Sequence, residues 1–311
     1  MQPVFSALNV SSMSDTAISR HSLAESLRGY SVEINPSHPK VVGAAAERLA
    51  AGTEVFLPWI PGTDPMDTVG PAAKLRHAGL TPVPHIGARH LESVAQLEQF
   101  VRRLAGEAGV DRVLIVGGDR ATPAGPYDSS LAVMQSDVLQ RVDIVRVAIG
   151  GFPEGNPNIP DPVLDRALAE KADFARRAGL QLTIVTQFCF EAEPIVTWLT
   201  QIRAQGIEAP ARVGLAGPAG LVTLARYAVH CGIGNSLHAL TSNPAFARLL
   251  IEKGPEPIIR GILAQDAAAG ERASQARGRE QSRPLGIAGL HFYVFGGFGK
   301  TIDWIDAQRA Q

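Results

Sequence analysis

Several polar residues in this sequence end apolar runs, where a polar group without a partner or a task is costly. They are Glu33 in "SVEINP", His85 in "PVPHIGAR", Asp119 in "VLIVGGD" and Gln187 in "IVTQFCF". A carboxyl among apolar neighbours keeps its proton to higher pH, which suits Glu33 to general-acid chemistry; a structural ion pair is the alternative. His85 reads as a hydrogen-bonded wall residue. Its spacing from His90 matches no usual zinc pattern, so no metal is expected. The amide of Gln187 both donates and accepts, which suits the edge of a heterocycle such as a pterin, or equally a neighbouring backbone group. Asp119 follows Gly117 and Gly118, and the two glycines form either a phosphate cradle or a tight turn that presents the carboxylate.

The elements that carry these residues decide between such readings. Strand patterns are expected over 30–35, 53–59, 80–86, 111–116, 143–150, 180–187, 211–216 and 289–295. Helical patterns lie between most of them, including 65–79, 90–109, 161–179 and 192–206, and several close on glycine, the usual left-handed stop. This alternation implies parallel βαβ units, and eight strands favour a closed (β/α)8 TIM barrel over an open doubly wound sheet. Loops at the C-terminal ends of barrel strands converge on the active site. Asp119 then lies just beyond the fourth strand, and the glycines before it read as a turn. The rigid loop after the fifth strand, "GGFPEGNPNIPD", adds Phe152, Glu154 and Asn156 as candidates. "GKT" after the last strand fails as an NTPase loop, which would need glycine at Val294.

A chain of 311 residues accommodates one large domain, with 1–25 as a flexible Ser-rich arm and 26–311 as a single catalytic barrel. A net charge of −1 offers no general attraction to nucleic acid or anionic membranes. No apolar run reaches the roughly 18 residues of a membrane span. Cys189 and Cys231 lack metal-binding spacing and read as free buried thiols. With no signal-like N-terminus, they imply a cytoplasmic protein. Homo-oligomerisation stays open.

Taken together, these segments resemble the methylenetetrahydrofolate reductase family, as a divergent member, from about Tyr30 to Trp304. "SVEINP", "PHIGAR", "VLIVGGD", "AIGGFPEGNPN", "IVTQFCF" and "GIAGLHFYVFGG" follow the family's motif order. The resemblance implies the barrel fold and a place in one-carbon metabolism. It implies hydride transfer from NADH or NADPH through FAD to 5,10-methylenetetrahydrofolate, giving 5-methyltetrahydrofolate, in either direction. Glu33 matches the acid that protonates N10 as the folate ring opens to an iminium. Asp119 matches the aspartate beside flavin and folate, whose negative charge favours that cation. Gln187 matches a substrate-binding glutamine. Tyr227, in "LARYAVHCG", matches an aromatic that stacks on folate or nicotinamide. His85, Gly117, Gly118, Phe152, Asn156 and Arg176 fall at or beside positions that contact the flavin.

The sequence also departs from the family. Gly117 stands where members usually carry arginine, Phe152 and Asn156 replace a tyrosine and a histidine, and Ala175 replaces a lysine. Arg176, Arg177 or Lys171 is left to offset a diphosphate. Two alternatives follow: a folate reductase that takes hydride directly from nicotinamide without flavin, and a non-catalytic barrel that binds folate or another pterin. A metal-dependent aldol-type lyase would need a ligand cluster that the sequence lacks.

Overall fold

The structure, a computed structural model, describes residues 23–277 and 285–310. Of the arm expected over 1–25, residues 1–22 lie outside the described residues. Eight strands run in parallel: β1 (Ser31–Glu33), β2 (Glu54–Leu57), β3 (Thr81–Gly87), β4 (Arg112–Val116), β5 (Arg146–Gly151), β6 (Gln181–Thr186), β7 (Ala211–Ala216) and β8 (Ile287–Tyr293). They pair in chain order and close β8 onto β1, which makes the protein a single (β/α)8 TIM barrel.

The helices are α1 (Pro39–Arg48), α2 (Val69–His77), α3 (Val94–Ala108), α4 (Ser130–Gln135), α5 (Asp161–Ala178) and α6 (Ala192–Ala204). Four more, α7 (Leu221–Cys231), α8 (Gly234–Ser242), α9 (Pro244–Lys253) and α10 (Glu256–Arg277), fill the long connection before β8, and α11 (Phe298–Arg309) ends the fold. Caps set several boundaries. The Ser93 hydroxyl accepts the Gln96 N–H at 3.1 Å to start α3, and Gly109 and Gly179 close α3 and α5 at φ 56° and 69°.

Some strands differ from their sequence limits for local reasons. β2 stops at Leu57, immediately before Pro58. Asp143 takes φ 59° after a 3-10 turn, so β5 begins only at Arg146. β8 starts earlier and stops at Tyr293, where Gly297 N–H bonds back to Val294 O at 2.9 Å. No helix among the described residues is long and apolar enough to cross a membrane.

Strand alternation sends every second residue into the barrel and the others against the helices. The larger core therefore lies between wall and helices, and a smaller one of Phe56, Val83, Leu114, Ala148 and Val185 fills the barrel's middle. Towards the C-terminal mouth, His85 lies two residues past Val83, and Glu33 and Tyr293 end β1 and β8 in register with each other and with Phe56; two residues before the middle come Glu54, Arg112 and Thr183 towards the N-terminal end.

Candidate active site

Glu33 ends β1 and points into the barrel with its side chain only 21% exposed. Its Oε2 lies 3.5 Å from His85 Nε2 on β3 and 3.9 Å from His291 Nε2 on β8. Both imidazole nitrogens are buried and make no hydrogen bond among the described residues. Burial pushes His85 down to about 3 and His291 well below its ordinary value, so both rings are neutral near pH 7. The same desolvation pushes Glu33 up to about 8, so this carboxyl holds its proton at neutral pH.

Barrel closure builds the surroundings of Glu33. Ser31 sits opposite His291 in the register of β1 with β8, and its hydroxyl lies 2.9 Å from His291 Nδ1. Phe56 meets His291 edge-on at 4.6 Å, and Tyr293 does so from the other side at 4.8 Å. The Tyr293 hydroxyl donates to Thr186 O at 3.0 Å, and the Thr186 hydroxyl accepts from Gly214 N–H at 2.8 Å. Gly214 permits this approach, since a Cβ there would lie 2.1 Å from Thr186 O. The C-terminal end of α7 comes near the same carboxyl: burial pushes the Cys231 thiol up to about 11, and the Glu33 charge acts in the same direction.

Asp119 takes a different position. It is exposed on the loop after β4, and its Oδ1 accepts from His90 Nε2 at 2.6 Å. The His90 ring is packed against Trp59, 5.7 Å away, and against Gly118. Gly118 takes φ 94°, and a Cβ there would meet His90 at 2.9 Å, so its glycine serves the imidazole as well as the turn. Arg89 clamps the loop further on, with Nε to Arg120 O at 2.6 Å, a second nitrogen to Asp128 O at 2.9 Å and the third to Ala121 O at 2.5 Å. Gly117 contributes its carbonyl, which accepts from Arg89 N–H at 2.8 Å, and its missing side chain leaves open space.

The remaining sequence candidates are partly engaged elsewhere. Gln187 Oε1 accepts from the neighbouring Phe188 N–H at 3.1 Å, the backbone alternative for that amide. Tyr227 stacks on Phe295 at 3.9 Å and 13°, so one ring face is already covered. Asn156 Oδ1 accepts from Asn158 N–H at 2.9 Å within its own loop. Arg176 is 77% exposed and bound to Asp173. Phe152 lines a cleft of about 400 Å³ between the β5 loop, α5 and α6, together with Glu154, Asp161, Asp165, Lys171 and Trp198. The cation of this cleft is Lys171, whose ammonium burial holds below its ordinary value.

Cys189 is buried, and burial with the Glu154 carboxylate raises its thiol well above the ordinary value; Cys231 is half-buried. Among the described residues no group of three or more His, Cys, Asp or Glu is arranged to hold a metal ion.

The sequence motifs contain His90 and His291 but assign neither a role. The signal for His291 was its i, i+2 relation to Tyr293, which puts both on the inner face of β8. For His90 no local signal existed, because its partner belongs to another loop.

No protein-family model matches the chain. Among solved structures it is similar to a D-hydantoinase, with 12% identity and a TM-score of 0.34, over 57% of this chain and 41% of that one. The chain thus matches less than half the length of that structure, and a likeness of this size bears on neither chemistry nor substrate.

Proposed function

We propose that this chain is a methylenetetrahydrofolate reductase-like oxidoreductase, interconverting 5,10-methylenetetrahydrofolate and 5-methyltetrahydrofolate with NADH or NADPH. The observation that carries this reading is Glu33, a buried carboxyl that keeps its proton at pH 7 at the C-terminal mouth of the barrel. Reduction of the methylene bridge needs an acid of this kind. The Glu33 proton passes to N10, the bond between N10 and the methylene carbon breaks, and an iminium forms at N5. Hydride from the dihydronicotinamide adds to the methylene carbon and leaves a methyl group and NAD(P)+. The neutral imidazoles of His85 and His291 add no charge that would draw the proton off Glu33 beforehand. Asp119, fixed by His90, presents the negative charge that would favour the cationic iminium.

FAD is the carrier that the family resemblance implies, and the residues present do not fit its diphosphate. No side chain occupies the space at Gly117, Asn156 bonds its own loop, and Arg176 turns to Asp173. The cleft beside Phe152 is lined by three carboxylates, Glu154, Asp161 and Asp165, against the single ammonium of Lys171. That charge balance is unfavourable to a diphosphate in this cleft, whether of FAD or of the nicotinamide cofactor, so neither is placed there.

The test is an assay of purified protein with NADH or NADPH and methylenetetrahydrofolate, with an absorbance spectrum and an FAD titration alongside. Turnover by colourless protein without FAD is expected. Stimulation by FAD would restore the flavin route, and folate binding without turnover would leave a pterin-binding barrel.

A further inference from the structure

The N-terminal end of the barrel holds a second polar cluster, which the proposed reaction does not use. Glu54 on β2 bridges two guanidiniums, accepting from Arg112 through Oε1 and from Arg212 through Oε2 at 2.7 Å. Asp111 binds Arg112 at 3.0 Å and Arg146 more closely, and Arg76 stands 3.6 Å away. Four guanidiniums therefore share two carboxylates, leaving two positive charges without a counterion in the cluster.

Part of this surplus is shielded from water, while Arg76 and Arg146 are 35% and 44% exposed. The side chains of Glu54, Arg212 and Arg112 are 15%, 16% and 26% exposed. Like charges held close together with restricted hydration repel one another, and a counterion relieves that cost.

The cluster opens onto a cleft of about 130 Å³, with Glu54, Arg112, Arg146, Gln181, Thr183 and Arg212 as its polar lining. Gln181 Oε1 accepts from Arg146 Nε at 3.3 Å, so its amide nitrogen remains a donor. Guanidinium, amide and hydroxyl donors thus face one carboxylate. Planar guanidiniums bind tetrahedral oxyanions through paired N–H groups, and the cleft's size suits a single small ion better than a nucleotide.

We propose that the N-terminal end of the barrel binds a small tetrahedral dianion of the phosphate class, held by Arg146, Arg212, Gln181 and Thr183. Bound there, the ion contacts side chains from β5, β6 and β7 and reinforces barrel closure at the end opposite Glu33.

The test titrates the full chain with potassium phosphate at ionic strength held constant with potassium chloride, following thermal unfolding and the phosphorus NMR linewidth. A saturable rise in Tm is expected with phosphate and with sulfate, but not with chloride alone. Arg146→Gln leaves Asp111 paired with Arg112 and Arg76, so the fold is retained while phosphate binding weakens about tenfold. Arg212→Lys keeps the charge but removes the fork, and weakens binding in the same direction; if it fails to fold, Arg146→Gln alone decides. Glu33→Gln leaves phosphate binding intact. An effect that does not saturate, that survives Arg146→Gln undiminished, or that disappears in Glu33→Gln overturns the proposal.

Discussion

Glu33 and Glu54 are both glutamates inside the barrel, on adjacent strands, with side chains 21% and 15% exposed. Their surroundings differ completely. Glu54 lies between the guanidiniums of Arg112 and Arg212, which offset the cost of its burial. Glu33 faces two neutral imidazoles, and its carboxyl rises to about 8. Burial raises the proton affinity of Glu33, where no cation stands close enough to offset the lost hydration. One end of the barrel uses a carboxylate to tie strands together, while the other holds a buried carboxyl that keeps its proton.

Substitutions at the two glutamates test that contrast most directly. Glu33→Gln keeps the shape but removes the proton, and a loss of about 10²- to 10⁴-fold in kcat/KM is expected, with the fold intact by circular dichroism. Activity close to wild type would remove the general-acid role. Glu54→Ala reverses the pattern: it leaves Arg212 without a carboxylate in the cluster and Arg112 with Asp111 alone, and costs about 3 kcal/mol in urea unfolding, without acting on the chemistry directly. A destabilisation below about 0.5 kcal/mol, ordinary for a surface site, would show that the ionic cluster holds nothing together.

The proton on Glu33 predicts a pH dependence of definite sign. Its folded value, about 8, lies above the ordinary 4.5, so the folded chain binds one more proton than the unfolded chain between those values. This group's contribution to stability is full below the lower value and falls by up to about 1.4 kcal/mol per pH unit towards the upper one. Subtracting the unfolding profile of Glu33→Gln from wild type isolates that slope, and parallel profiles would contradict the raised value. The smallest effect is expected at His90. His90→Ala releases Asp119 and lowers kcat/KM about threefold to tenfold, His90→Gln restores part of it, and neither moves the alkaline limb set by Glu33.

Much of the fold was legible because alternation and helical periodicity are local. The eight strands appear in the expected order, and β7 matches its expected limits residue for residue. The shift at β5 follows from the left-handed Asp143, a single residue that overrides an apolar pattern. The site was less legible, because its decisive contacts join residues far apart in the chain. His90 and Asp119 are 29 positions apart and meet only because β3 and β4 are neighbours in the barrel. Arg176 and Lys171 lie on one helix and looked equivalent as cations, but helix orientation puts Arg176 in solvent and Lys171 in the cleft.

By itself, then, the sequence determined the strand count, the parallel order and which polar residues end which strands. Those features follow from residue periodicity and from where an apolar run stops. Only the tertiary structure decided what each polar residue faces. Barrel closure put His291 of β8 beside Glu33 of β1, and strand neighbourhood gave Glu54 two guanidiniums while Glu33 received none. A carboxyl's proton affinity depends on charges and solvent within a few ångströms, and those neighbours come from strands that the linear order keeps up to about 260 residues apart.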